Sequence, residues 1–128
     1  MAKSILSSPK IAKFAGAPYS SGTKVGNLLF TAGMVSLDEK GEIVGRGDIR
    51  AQTRQALENM KAVLEAGGGK MTDVAKTTVY ITDVANYAGM NEVYKTFFPT
   101  DPPARAMAKV ELLNKDLLVE IEAFAVLG

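Results

Sequence analysis

The segment Ala104–Val126, ARAMAKVELLNKDLLVEIEAFAV, reads as two strands, Ala104–Leu112 and Leu117–Val126, joined near Asn114-Lys115-Asp116. Alternation puts Leu118, Glu120, Glu122, Phe124 and Val126 on one face of the second strand, opposite Val119, Ile121, Ala123 and Ala125. On the first it groups Arg105, Met107, Lys109 and Glu111 opposite Ala104, Ala106, Ala108 and Val110. Two mostly apolar strands thus carry an arginine, a lysine and three glutamates, two of these on the second strand.

Upstream, Pro99, Pro102 and Pro103 end a helix that starts at Asp83 or Asn86 and runs to Phe98, with Tyr87, Met90, Tyr94 and Phe97 as its apolar stripe. Val74–Thr82 precedes it as a β-branched strand. Before that strand, Ile49, Thr53, Ala56, Leu57, Met60, Val63 and Leu64 recur at helical spacing. Asp48 suits the N-cap of that helix and Gly67-Gly68-Gly69 its stop. Asp38–Gly47 is a polar, glycine-punctuated hairpin region, and Lys24–Val35 reads as strand, turn or bulge, strand. The opening twenty residues are turn-rich, with a short strand at Ser4–Ser7. The order predicts one α+β domain over residues 1–128, a sheet with both helices on one face and the other face free for subunit contact.

Composition narrows the chemistry. The 128-residue chain contains neither Cys nor His, which removes thiol and serine–histidine nucleophiles, imidazole or thiolate zinc sites and redox disulfides. No carboxylate loop of the calcium-binding kind is present, so no metal is expected. A net charge of +1 without a basic block argues against nucleic acid as a partner. With no apolar run long enough for a signal peptide or a bilayer span, the expected location is cytoplasmic.

Two readings of Arg105 stand side by side. A guanidinium grips a carboxylate through parallel hydrogen bonds and keeps its proton, which suits it to anchoring an acid substrate. Alternatively, it forms an internal ion pair with Glu120 or Glu122. Those glutamates, sharing a face with large apolar side chains, need a cation, water or solvent, and burial would raise their pKa. Tyr19 lies in the glycine- and proline-rich loop GAPYSSG, suited to a fixed aromatic lid or to simple packing. Asn91 follows Met90 in the second helix, where asparagine commonly faces solvent.

The segments GAPYS, GNLLFTAG, QTRQALENMKAVLEAGG, TTVYITD, MNEVYKTFF, PPARAMAKVELL and VEIEAFAV resemble the YjgF/RidA family, in order and across nearly the whole chain. The resemblance implies a chorismate-mutase-like fold and a homotrimer with clefts between subunits. It implies hydrolysis of 2-imino acids or their enamines to 2-keto acids and ammonia, without a cofactor. Arg105 of the P-A-R motif would bind the substrate carboxylate, and Glu120 would position the attacking water. Tyr19, Ala32, Gly33, Asn91 and Met107 would line the cleft. The chain departs from the family at Ala32-Gly33-Met34, usually Ser-Gly-Gln, and at Met107, often cysteine. The segments GGGKMTDV and FFPTDPPAR look closer to the RutC branch, which implies 3-aminoacrylate as an alternative substrate. A non-catalytic trimer that binds small carboxylates or a protein partner is a further alternative. RNA cleavage, claimed for some relatives, meets no basic stripe here.

Overall fold

A computed structural model describes residues 2–12 and 16–128; residues 13–15, within the turn-rich opening of the chain, lie outside the described residues. Six strands and two helices follow in the order β1 (Ser4–Leu6), β2 (Gly22–Val25), β3 (Leu28–Thr31), α1 (Ile49–Ala66), β4 (Val74–Ile81), α2 (Tyr87–Phe97), β5 (Ala104–Lys109) and β6 (Val119–Val126). The sheet order is β1-β2-β3-β6-β4-β5, antiparallel throughout except for the parallel pair β4–β5. This is the α+β class expected from the sequence.

Helix α1 forms for the reasons its ends announce. The Asp48 carboxylate accepts from the Ala51 N–H at 3.1 Å, capping the first turn. At the other end Gly68, at φ +84°, and Gly69 return their N–H groups to the carbonyls of Glu65 and Leu64. That pair of bonds closes a Schellman motif, which requires the left-handed residue. The apolar stripe Leu57, Met60, Val63 and Leu64 is buried against Leu29, Val79, Val119 and Ile121 in one core.

Three expectations are revised. β5 stops at Lys109 rather than Leu112, because it is an edge strand paired only with β4, whose last partner is Ile81. β4 lies between the two C-terminal strands and pairs with both. β3 ends at Thr31, after which Met34 makes only an isolated bridge to Ile121. In α2 the buried positions are Gly89, Met90, Val93 and Tyr94, while Phe97 is half-buried and Tyr87 is 46% exposed.

The polar side of α1 proves as structural as the apolar one. Gln52 is fully buried: its amide donates to the carbonyls of Gly45 and Asp116 at 3.1 and 2.9 Å and accepts from the Leu118 N–H at 2.8 Å. Asn59 donates to the carbonyls of Val35 and Leu37, both at 2.9 Å. Two side chains of one helix thus fix three loop segments that the sheet cannot reach. Gln52→Leu leaves the part-buried Asp116 carbonyl and Leu118 N–H without their partner, while the Gly45 carbonyl keeps the Asp48 N–H, and it is expected to destabilise the fold by about 2 kcal/mol, read by denaturant unfolding. Among the described residues no helix is long and apolar enough to cross a membrane.

Candidate active site

Register fixes which face of the sheet each functional side chain leaves. Thr77 of β4 is buried on the helix side, its hydroxyl 2.6 Å from that of Tyr94, and it is the β5 partner of Arg105. Arg105 therefore emerges towards α2. One guanidinium nitrogen donates to Asn91 Oδ1 at 2.7 Å and another to the Tyr87 hydroxyl at 3.2 Å. The guanidinium carbon also lies 4.9 Å from the centre of the Tyr94 ring, a cation–π contact. Tyr87 and Asn91 are one helical turn apart, so they brace the same group.

Every one of these partners is neutral. The salt bridges among the described residues are Arg46–Asp116 and Arg50–Glu92, and neither involves Arg105. The ion pair with Glu120 or Glu122 does not form, because both glutamates leave the opposite face. A hydrogen bond to Asn91, then the Arg105 charge, lowers the pKa of the Tyr87 phenol. Met107, next on the same face of β5, packs against the core and lines a hollow of about 370 Å³ with Ile81, Val84 and Tyr87.

Glu120 belongs to a second region. It pairs in register with Tyr80 of β4 on the open face and lines a cleft of about 1140 Å³ that Tyr19, Gly33, Tyr80 and the loops around Ile43 and Leu113 also border. Gly33 leaves room for the Glu120 carboxyl: a Cβ at this position would lie 2.5 Å from Glu120 Oε2 and would displace it. Burial, then the charge of Glu122, raises the Glu120 carboxyl above its ordinary pKa. Ala32 is not part of the wall, since its side chain packs against the core and its N–H donates to the Ser21 carbonyl. Tyr19 is 59% exposed at the rim, open to contact from outside the chain.

The candidate residues thus form two groups, Arg105–Asn91–Met107 beside α2 and Glu120–Gly33–Tyr19 in the cleft. Sequence reasoning missed Tyr87, taken as core; its i, i+4 spacing to Asn91 was the available signal. It also missed Tyr80, whose hydroxyl donates to Glu122 Oε1 at 2.6 Å.

A family model described as endoribonuclease L-PSP, which represents YjgF/RidA proteins, matches residues 10–127. The chain belongs to the YjgF/RidA family. A RutC family protein of Pyrococcus horikoshii is 54% identical over 109 residues, covering 84% of this chain and 86% of that protein. One from Pyrococcus abyssi is 48% identical, covering 98% of each. Among solved structures, E. coli TdcF with bound serine superposes with a TM-score of 0.88 at 39% identity, covering 98% of this chain and 99% of that one. RidA from an Antarctic Psychrobacter gives 0.88 at 35%, covering 97% and 99%. These YjgF/RidA structures share the mixed six-stranded sheet and two helices described above.

Proposed function

We propose that this YjgF/RidA protein hydrolyses small 2-imino acids and their enamine tautomers to 2-keto acids and ammonia, in clefts shared between neighbouring copies of a trimer. The observation that carries this reading is the placement of an arginine with only neutral partners on one face of the sheet and a cleft-lining glutamate on the other. Side chains leaving opposite faces of one sheet point away from each other, with the sheet itself between them, so a three- or four-carbon acid does not reach both within one chain. A second copy whose open face meets the β5 edge brings the groups together. The open face has the apolar character such a contact needs, with the Phe30 and Phe124 rings in a tilted contact, their centres 5.0 Å apart, and Phe30 39% exposed. That a relative, TdcF, holds serine supports a site for small molecules carrying a carboxylate.

The chemistry then needs little from the protein. Arg105 grips the carboxylate through its free N–H groups, and the imine carbon lies beside a water held by Glu120. Glu120 takes a proton from the water as it adds to C=N and gives it to the nitrogen, forming the carbinolamine; it then takes the carbinolamine hydroxyl proton as the C–N bond breaks and passes it to the nitrogen, which leaves as ammonia. Because imines hydrolyse unaided, orientation and one proton shuttle suffice.

The direct test generates 2-iminobutyrate and 2-iminopropionate in situ with an amino-acid oxidase and follows their loss by semicarbazide trapping. The expected result is faster loss with the protein than without it. Acceleration confined to 3-aminoacrylate would move the assignment to the RutC-type substrate, and ligand binding without turnover on either would leave a carboxylate-binding protein.

A further inference from the structure

The open face of β6 presents two carboxylates, and the structure treats them differently. Glu120 and Glu122 are two residues apart on one strand, so their side chains rise from the same face about 7 Å apart. Tyr80 faces Glu120 in the β4–β6 register and Thr78 faces Glu122. Yet the Tyr80 hydroxyl reaches diagonally and donates to Glu122 Oε1 at 2.6 Å, the length of a charge-assisted bond. Glu120 instead lies in the hollow left by the missing side chain of Gly33, at the wall of the cleft. One carboxylate is thus tied down by a phenol and the other turned to the space a substrate would occupy.

We propose that Tyr80 and Glu122 form a positioning pair for Glu120: Tyr80 fixes the Glu122 carboxylate, and the negative charge held there makes Glu120 a stronger base towards water in the cleft. The role rests on the imine-hydrolase reading above, in which Glu120 is the proton acceptor.

The surroundings leave Glu122 as the neighbouring charge that matters most. Across the cleft stand Tyr19, Glu42, Arg46 and Glu111. Arg46 is paired with Asp116 at 2.5 Å, and Glu42 and Glu111 are exposed, where water screens them. The bond to Glu122 in turn raises the pKa of the Tyr80 phenol, which keeps its proton available to Glu122 throughout the working range. The same negative charge that Tyr80 stabilises contributes, after burial, to holding the proton on Glu120.

Glu122→Gln isolates the charge, because the amide keeps the shape and still offers Tyr80 an oxygen acceptor. Two readouts are needed on the full-length protein: a carbon-13 NMR titration of the Glu120 carboxyl, and the pH profile of imine hydrolysis. The Glu120 midpoint is expected to fall by about half a unit to one unit, since a carboxylate at this separation acts through partly screened solvent. The acid limb of kcat/KM follows it, and plateau kcat drops about threefold with KM unchanged, as Brønsted behaviour of a weakened base requires. Tyr80→Phe keeps the charge but releases it, and a smaller fall in the same direction is expected. A Glu120 midpoint unmoved in Glu122→Gln overturns the pair, and one unmoved only in Tyr80→Phe removes Tyr80 from it. Wild type that fails to hydrolyse imines while its Glu120 midpoint still responds to Glu122→Gln overturns the catalytic reading and leaves the electrostatic coupling standing.

Discussion

Arg105→Ala is expected to lower kcat/KM for 2-iminobutyrate by about a thousandfold, with Tm changed by only a few degrees. The two halves of that expectation come from different parts of the same side chain's surroundings. Arg105 sits on an edge strand, half-buried, and its hydrogen bonds go to Asn91 and the exposed Tyr87. Both partners can turn to water when the guanidinium is removed, so the fold loses about 1 kcal/mol. The substrate has no such recourse. Its carboxylate loses a two-point, charge-assisted grip and the imine carbon loses its alignment with the water, which together account for about 4 kcal/mol in the transition state. Arg105→Lys restores the charge but not the fork, and a loss of about a hundredfold is expected to remain. Single-turnover or steady-state trapping assays on both variants check this; an Arg105→Ala enzyme within tenfold of wild type would mean that another group holds the carboxylate.

The contrast between Arg105 and Glu120 also shows what the sequence could carry. Alternation along LLVEIEAFAV assigned the buried and open faces of β6 correctly, because each strand records its own two faces in its own side chains. The phase between strands is a different quantity. Whether the Arg105 face of β5 coincides with the Glu120 face of β6 depends on β4, which pairs with both in opposite senses, and nothing in either strand's own pattern encodes that. Hence the ion pair between them was a fair expectation from the strands alone, and the register excludes it.

The helices divide in the same way. The ends of α1 were readable because capping is local, decided by Asp48 and by glycines that alone adopt the left-handed turn at low cost. The roles of Gln52 and Asn59 were not, because their partners, the carbonyls of Val35, Leu37, Gly45 and Asp116, lie in segments brought near only by the finished sheet. Tyr87 failed for a related reason: hydrophobic spacing predicts a stripe, but α2 is eleven residues long and its first turn contributes its phenol to Arg105 instead of to the core.

Mixing two inactive variants is expected to restore activity that neither has alone. On the function proposed above, Arg105→Ala lacks the carboxylate anchor and Glu120→Gln the proton acceptor, so in a trimer of either variant all three clefts would be damaged. If every cleft takes its arginine from one subunit and its glutamate from the next, co-refolding equal amounts places an intact pair in about a quarter of the clefts by random assembly. Recovery to about a quarter of the wild-type rate is therefore the outcome that the two-faced placement of Arg105 and Glu120 demands. Simple mixing of the preassembled variants without denaturation should recover nothing at short times and more as subunits exchange. A co-refolded mixture of the same oligomeric size that stays inactive would overturn the shared-cleft reading. The experiment thus reads the faces of the sheet through catalysis: if the proposed site draws Arg105 and Glu120 from opposite faces of one sheet, the register of β4, β5 and β6 makes complementation between chains the expected result.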